Sequence, residues 1–181
     1  MGIQTGGTLS PWLRARRINA VRPHLRGRVL DVGCGTGLLS ECAPREGYLG
    51  VDHDAASLAA ARREHPHAAF APGLPENGSF DTIALLAVIE HIPDPAAFLR
   101  RLTGLLAPGG RMVLTTPHPA FEIIHTIGGR LGLFSREAGE DHETLINATA
   151  MAALARDAGL TLATARRFLF GVNQLFVLER R

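Results

Sequence analysis

Val29-Leu30-Asp31-Val32-Gly33-Cys34-Gly35-Thr36-Gly37-Leu38-Leu39 is the stretch that decides the fold of this chain. A short apolar run ends in an acid, three glycines follow at alternate positions, and a helical pattern runs from Leu38 to Ala43. Apolar runs of this length suit strands buried on both faces. Glycine has no Cβ, so the turn is tight and its main chain lies bare to a ligand. A helix beginning there presents free N–H groups and a positive dipole end toward the same point. Strand, bare turn and helix together form a nucleotide-type cradle at the carboxyl end of a strand.

Outward from this stretch the pattern alternates. Upstream, Ser10-Pro11 reads as a helix start, with a capping hydroxyl and then proline in the first turn. That helix runs to about Val21 and stops near Pro23. Arg14, Ile18 and Val21 fall on one face, so Arg14 shares the inward side with apolar residues, while Arg16 and Arg17 face water. Downstream come a strand over Gly47 to Asp52, a helix over Asp54 to His65 and a short strand over Ala68 to Ala71. A strand over Phe80 to Leu86, a helix over Pro95 to Leu106, a turn at Pro108-Gly109-Gly110 and a strand over Arg111 to Thr116 follow. The tail reads as a helix over Thr149 to Ala158, closed by Gly159. Two strands then flank Phe170-Gly171-Val172-Asn173, Leu160 to Phe168 and Gln174 to Glu179, close enough to form an antiparallel hairpin. The expected fold is α/β. It is a Rossmann-like, mostly parallel sheet of about seven strands with a C-terminal antiparallel hairpin and helices on both faces.

The chain has 181 residues, so the length prior allows one domain over 1–181, with residues 1–10 as a loose lead-in. Its apolar fraction, 46%, is ordinary for a globular protein, and no apolar run approaches the roughly 18 residues of a membrane span. The first residues lack the basic-then-apolar order of a secretion signal. Two cysteines, Cys34 and Cys42, make no disulfide framework and no zinc set, and a reducing cytoplasm is the expected compartment. The net charge of +2 does not point to nucleic acid. The arginine clusters at residues 14–28 and 166–181 have few aromatic neighbours, which fits solvated helix and strand ends better than a nucleic-acid face.

The glycine spacing selects the ligand. A dinucleotide turn needs G-x-G-x-x-G, but here the third glycine, Gly37, comes one residue early and Leu38 fills its slot. No Gly-Lys-Ser/Thr follows, so the phosphate loop of nucleotide hydrolases is absent. D-V-G-C-G-T-G-L-L instead resembles the first motif of class I S-adenosylmethionine-dependent methyltransferases. The acid ending the next strand in Tyr48-Leu49-Gly50-Val51-Asp52 belongs to the same pattern. Leu74-Pro75 with Gly78-Ser79-Phe80-Asp81, Glu90-His91-Ile92-Pro93-Asp94-Pro95 and Leu106-Ala107-Pro108-Gly109-Gly110 are similar to further motifs of that family. Over roughly Arg28 to Pro117 the pattern is most similar to the branch holding the ubiquinone-biosynthesis O-methyltransferases.

The resemblance implies S-adenosylmethionine as cofactor and S-adenosylhomocysteine as product. It implies a cofactor site made of Arg14, Asp31, Gly33, Cys34, Gly35, Gly37, Asp52, His53, Leu74, Leu86 and Ala87. In the family, the arginine ahead of the first motif meets the methionine carboxylate, a role that falls to Arg14 through Leu13-Arg14 and Ile18. Asp52 would accept hydrogen bonds from the ribose hydroxyls. Many relatives carry an acid before Leu-Pro to read the adenine amine. Here Phe70-Ala71-Pro72-Gly73 stands there, leaving a main-chain carbonyl or His53. Some relatives hold a divalent cation with E-x-x-E-H, but Ala87 replaces the first acid, so no required metal is expected.

His91, His118 and His142 are the candidate general bases, histidine being suited by its near-neutral titration. Residues 117–141 are largely apolar and read as a lid over an apolar or aromatic acceptor. The expected activity is methyl transfer to a small-molecule acceptor, more readily at oxygen. Two rival readings stand beside it. One is a methyltransferase-like domain that binds the cofactor without transferring its methyl group, as a partner subunit or in another reaction. The other is a nicotinamide oxidoreductase, which the glycine spacing disfavours. Oligomeric state is not legible in the sequence.

Overall fold

A computed structural model describes residues 9–44, 47–117 and 146–180. Its strands are β1 (Val29–Val32), β2 (Tyr48–Val51), β3 (Ala69–Ala71), β4 (Phe80–Leu86), β5 (Leu106–Pro117), β6 (Leu160–Phe168) and β7 (Asn173–Arg180). The described helices are α1 (Leu9–Val21), α2 (Ala55–Glu64), α3 (Pro95–Thr103) and α4 (Ala148–Asp157). The strands make one seven-stranded sheet in the order β3-β2-β1-β4-β5-β7-β6. The first five strands run parallel, and β7 pairs antiparallel with both β5 and β6. The α/β fold with a C-terminal antiparallel hairpin is as the sequence implies.

The sheet is buried on both faces, and side-chain alternation sorts its residues. Ile83, Leu85, Met112, Leu114, Phe176 and Leu178 point to one side, against Leu99 and Leu102 of α3 and Met151 and Ala155 of α4. Ala84, Val113, Leu175 and Val177 point to the other, with Val21 of α1. Complete burial of Leu99 and Leu102 stabilises the α3 face by about 1.5–3 kcal/mol each.

Several element boundaries differ from the sequence reading. The expected helix over Leu38 to Ala43 is only a 3-10 turn, Leu38–Glu41, entered through a left-handed Gly37 with φ 79°. Pro44 disfavours helical geometry at the residue before it and offers no N–H, so the turn cannot lengthen. Four residues carry little dipole, so the loop's main-chain groups matter here rather than a helix end. Next, α3 stops at Thr103 instead of Leu106, because Leu106 already pairs with Phe80 as the start of β5. Pro108-Gly109-Gly110 therefore forms a bulge inside β5, between the pairs Phe80–Leu106 and Thr82–Arg111, with Gly109 at φ 70°. Finally, α1 already includes Leu9, so Ser10 lies within the helix.

The carboxyl ends of the parallel strands share one edge. Asp54 caps α2 just after β2 by accepting from the Ala56 and Ser57 N–H groups, and Asp94 caps α3 by accepting from Ala97. At the same edge, Pro117 ends β5 opposite Asn173, where β7 begins. The candidate residues of the first, second and fourth strands are thus brought together.

Candidate functional site

The loop after β1 is tied to the end of β2. The Gly33 and Cys34 N–H groups both donate to the Val51 carbonyl, at 2.8 and 3.1 Å. The Gly35 N–H donates to Asp52 Oδ2 at 2.8 Å, and the Asp54 N–H donates to Oδ1 at 3.0 Å. The Asp52 side chain is only 11% exposed, so these bonds hold its carboxylate in a fixed plane. Each oxygen retains a further lone pair, which suits a pair of sugar hydroxyls. The His53 side chain stands in solvent, with Nδ1 3.5 Å from Asp52 Oδ1.

Gly35 and Gly37 both adopt positive φ, for different ends. A Cβ on Gly35 (φ 53°) would meet nothing within 4 Å, so the bare backbone opens onto free space. A Cβ on Gly37 would strike the Phe70 ring at 2.7 Å. Gly37 therefore shapes the turn and seats an aromatic ring, and it lines neither of the two cavities at the strand ends.

Those cavities meet along the carboxyl edge. One of about 230 Å³ is walled by Arg14, Arg17, Asp31, the Gly33–Gly35 loop and Leu86. The other, about 570 Å³, is walled by Asp52, His53, Leu74, Val88, His91 and Phe98, among others. Gly33 and Ala87 belong to both. Ala87 is held at φ 58°, a rare backbone state for a residue with a Cβ, and its N–H donates to the Thr115 carbonyl at 2.8 Å. The smaller cavity is rich in charge, whereas the larger is mostly apolar with a single carboxylate among its described walls. An amino-acid end and a nucleoside end of one ligand match that division. The bare Gly35 in the wall of the smaller cavity fits the close approach such a ligand requires.

Charge in the smaller cavity is strongly perturbed. Asp31 is 3% exposed, and burial pushes its carboxyl up to about 7 despite the hydrogen bond donated by Tyr48 at 2.7 Å. Burial also pushes the Tyr48 hydroxyl upward, with Asp31 adding to the effect. The Cys34 thiol is pushed up to about 12, chiefly by burial and then by Asp31. A thiol held that high is not a nucleophile near neutral pH.

Arg14 faces the cavity, exposed, and donates to Thr36 Oγ1 at 3.2 Å. Arg17 departs from the sequence expectation. It does not face water but is half-buried in the same cavity, donating from Nε to Asn173 Oδ1 at 3.0 Å. The helical pattern hid it because its partner, Asn173, lies 156 residues away. Arg16 does face outward, stacked 5.4 Å from the Trp12 ring centroid. Among the other arginines, Arg62 and Arg180 are spent on the main-chain carbonyls of Phe70 and Leu106, at 3.0 and 2.7 Å.

The histidines separate. His91, exposed in a 3-10 turn over Ile89–His91, borders the larger cavity. His118, His142 and the expected lid segment, apart from Pro117, lie outside the described residues. Sequence reasoning did not single out Val88 or Arg101, which also wall the larger cavity. No composition signal marks either one. Among the described residues, no group of three or more metal-ligating side chains stands together, and no described helix is long and apolar enough to cross a membrane.

A family model described as a methyltransferase domain matches residues 10–165. The chain belongs to this methyltransferase family. As an S-adenosylmethionine-dependent methyltransferase it is 33% identical over 169 residues to the ubiquinone biosynthesis O-methyltransferase of Ralstonia nicotianae, covering 85% of this chain and 71% of that one. It is 35% identical over 164 residues to the namesake from Pseudomonas paraeruginosa, covering 80% and 70%. In fold it is similar to the magnesium protoporphyrin IX methyltransferase of Synechocystis with bound S-adenosylhomocysteine. That match has a TM-score of 0.74 at 19% identity and covers 99% and 90% of the two chains. The cyclase SpnF is a fold neighbour as well, with a TM-score of 0.69 at 16% identity and coverage of 91% and 80%.

Proposed function

We propose that this methyltransferase acts on a small-molecule acceptor, apolar or aromatic in character, and transfers the methyl group to oxygen. The junction of a charged and an apolar cavity at Gly33 and Ala87 carries the cofactor half of the reading. The names of the relatives at 33–35% identity support oxygen as the acceptor atom. In this reading Arg14 meets the methionine carboxylate, Asp31 faces the ammonium, and Asp52 accepts from the ribose hydroxyls. Leu74 and Val88 pack the base, and the main chain at Pro72-Gly73, with His53, reads its edge.

Bound S-adenosylmethionine supplies a methyl group already activated on a sulfonium. The protein's share is to hold the acceptor in line and exclude water, and positioning of this kind is worth roughly 7–11 kcal/mol. A histidine accepting the hydroxyl proton adds about 10²–10⁴-fold, with His91, His118 and His142 as the candidates. We read residues 1–181 as a single domain, supported by one continuous sheet from β1 to β7. The free thiols of Cys34 and Cys42 accord with a reducing cytoplasm.

The fold neighbour SpnF, named a cyclase and not a methyltransferase, supports a second reading, in which this chain binds the cofactor without transferring its methyl group. Calorimetric titration with S-adenosylhomocysteine, followed by its release from S-adenosylmethionine with a panel of phenols, acids and amines, separates the two. Absence of binding ends both readings, and binding without release against every acceptor leaves the second.

A further inference from the structure

We propose that the larger cavity does not select adenine, and that it binds a 6-oxopurine nucleoside as well as a 6-aminopurine one, with Arg101 donating to the 6-oxo edge. The inference rests on the cofactor arrangement proposed above, in which this cavity takes the nucleoside end. The two bases differ along one edge. Adenine donates from its 6-amino group and accepts at N1, whereas a 6-oxopurine accepts at O6 and donates from N1–H. A site that selects adenine therefore commits an acceptor to the amine, and rejects the base that lacks it.

The described walls commit no such acceptor. Their one carboxylate, Asp52, already accepts from the Gly35 and Asp54 N–H groups and stands at the ribose in that arrangement. The carbonyls that close β3 are engaged as well. Phe70 accepts from Arg62 at 3.0 Å, and Ala71 accepts from the Asp52 N–H at 3.2 Å. Next come Pro72 and Gly73, which bring no hydrogen-bonding side chain to the cavity they wall. Their carbonyls serve the 6-amino group of one base or the N1–H of the other equally. A Cβ on Gly73 would meet nothing within 4 Å, and its φ is outside the left-handed region, so the position has room for an acceptor side chain that this sequence does not supply. His53 and His91 also wall the cavity, and each presents a donor or an acceptor according to tautomer, so neither discriminates. Arg101 does. It stands one helical turn beyond Phe98 on α3, in the same wall. Unlike Arg62 and Arg180, it is committed to no hydrogen bond or ion pair with another described residue. A guanidinium donates to a purine O6 and N7 together and has no acceptor for a 6-amino group.

The test titrates the full chain calorimetrically with S-adenosylhomocysteine and with S-inosylhomocysteine, its 6-oxo counterpart. Wild type should bind the two within about threefold of each other. Arg101→Met should weaken the inosyl form by about tenfold while the adenosyl form stays within about threefold of wild type. Arg101→Lys should retain part of the inosyl affinity, since a point charge replaces a fork. Gly73→Asp places a carboxylate in the open space after β3, and it should bind the inosyl form about tenfold or more weakly than the adenosyl form. Wild-type binding of the inosyl form more than about threefold weaker than the adenosyl form overturns the inference without need of a variant. So does an equal loss of both ligands in Arg101→Met, which would make Arg101 a general wall of the cavity, and so does an unchanged ratio in Gly73→Asp. If wild type does not bind S-adenosylhomocysteine, the underlying function fails first. If it binds that ligand and rejects the inosyl form, only the present inference fails.

Discussion

Replacing Asp31 with asparagine should make the free protein more stable and a poorer cofactor binder. The side chain is 3% exposed at the end of β1, and burial raises its carboxyl from 3.8 to about 7. Between those values the unfolded chain gives up a proton that the folded chain keeps. Rising pH therefore favours unfolding through that window, and the penalty is complete above about 7. Each pH unit is worth 1.36 kcal/mol, so the full window of roughly 3 units is worth about 4 kcal/mol. Asparagine removes the titration, keeps an oxygen to accept from the Tyr48 hydroxyl, and changes the volume little. For a chain of this size 1 kcal/mol shifts Tm by about 2–4 °C, so the variant should melt on the order of 10 °C higher at pH 8. At pH 4 the two proteins should melt together. Calorimetric scans of both, from pH 4 to pH 8, measure the difference directly. A difference that stays flat with pH, or a variant that melts lower at pH 8, would refute the idea that burial holds the Asp31 proton in place. Affinity for S-adenosylhomocysteine should move the other way. The variant should bind at least tenfold more weakly at pH 8, with the gap narrowing below pH 6 as wild-type Asp31 takes up its proton.

Other substitutions probe the cradle and the sheet. Gly35→Val places a branched side chain at φ 53° in the open space beside the smaller cavity, and calorimetry should find cofactor binding weakened by more than tenfold with secondary structure retained. Gly37→Ala combines positive φ with a Cβ 2.7 Å from the Phe70 ring, and chemical denaturation should show a loss of about 2–4 kcal/mol. Asp52→Ala removes the acceptor of the Gly35 and Asp54 N–H groups, and S-adenosylhomocysteine affinity should fall about ten- to hundredfold while the circular dichroism spectrum is kept. Leu102→Ala, at a wholly buried position of α3, should cost about 2–5 kcal/mol on the same denaturation assay while S-adenosylhomocysteine affinity stays within about threefold of wild type.

The sheet, the parallel direction of its first strands and the hairpin at its end were legible along the chain. Apolar runs with glycine and proline punctuation are local signals, and a strand buried on both faces leaves its mark in a few adjacent residues. The glycine loop and the acid closing β2 were legible for the same reason, since bare backbone and strand-end acids are written in residue type. The length of α3 and of the turn after Gly37 was not, because Leu106 is claimed by Phe80 and Pro44 truncates the turn.

What the sequence determined by itself was the kind of ligand this edge of the sheet can cradle. Only the tertiary structure decided how charge is distributed there. Asp31 is an ordinary acid until β1 is covered on both faces, and burial then moves its titration to about 7. Arg17 looks like a solvated helix residue until β7 brings Asn173 against it. Burial and long-range pairing set the electrostatics of both residues, and neither exists before the strands close over the chain.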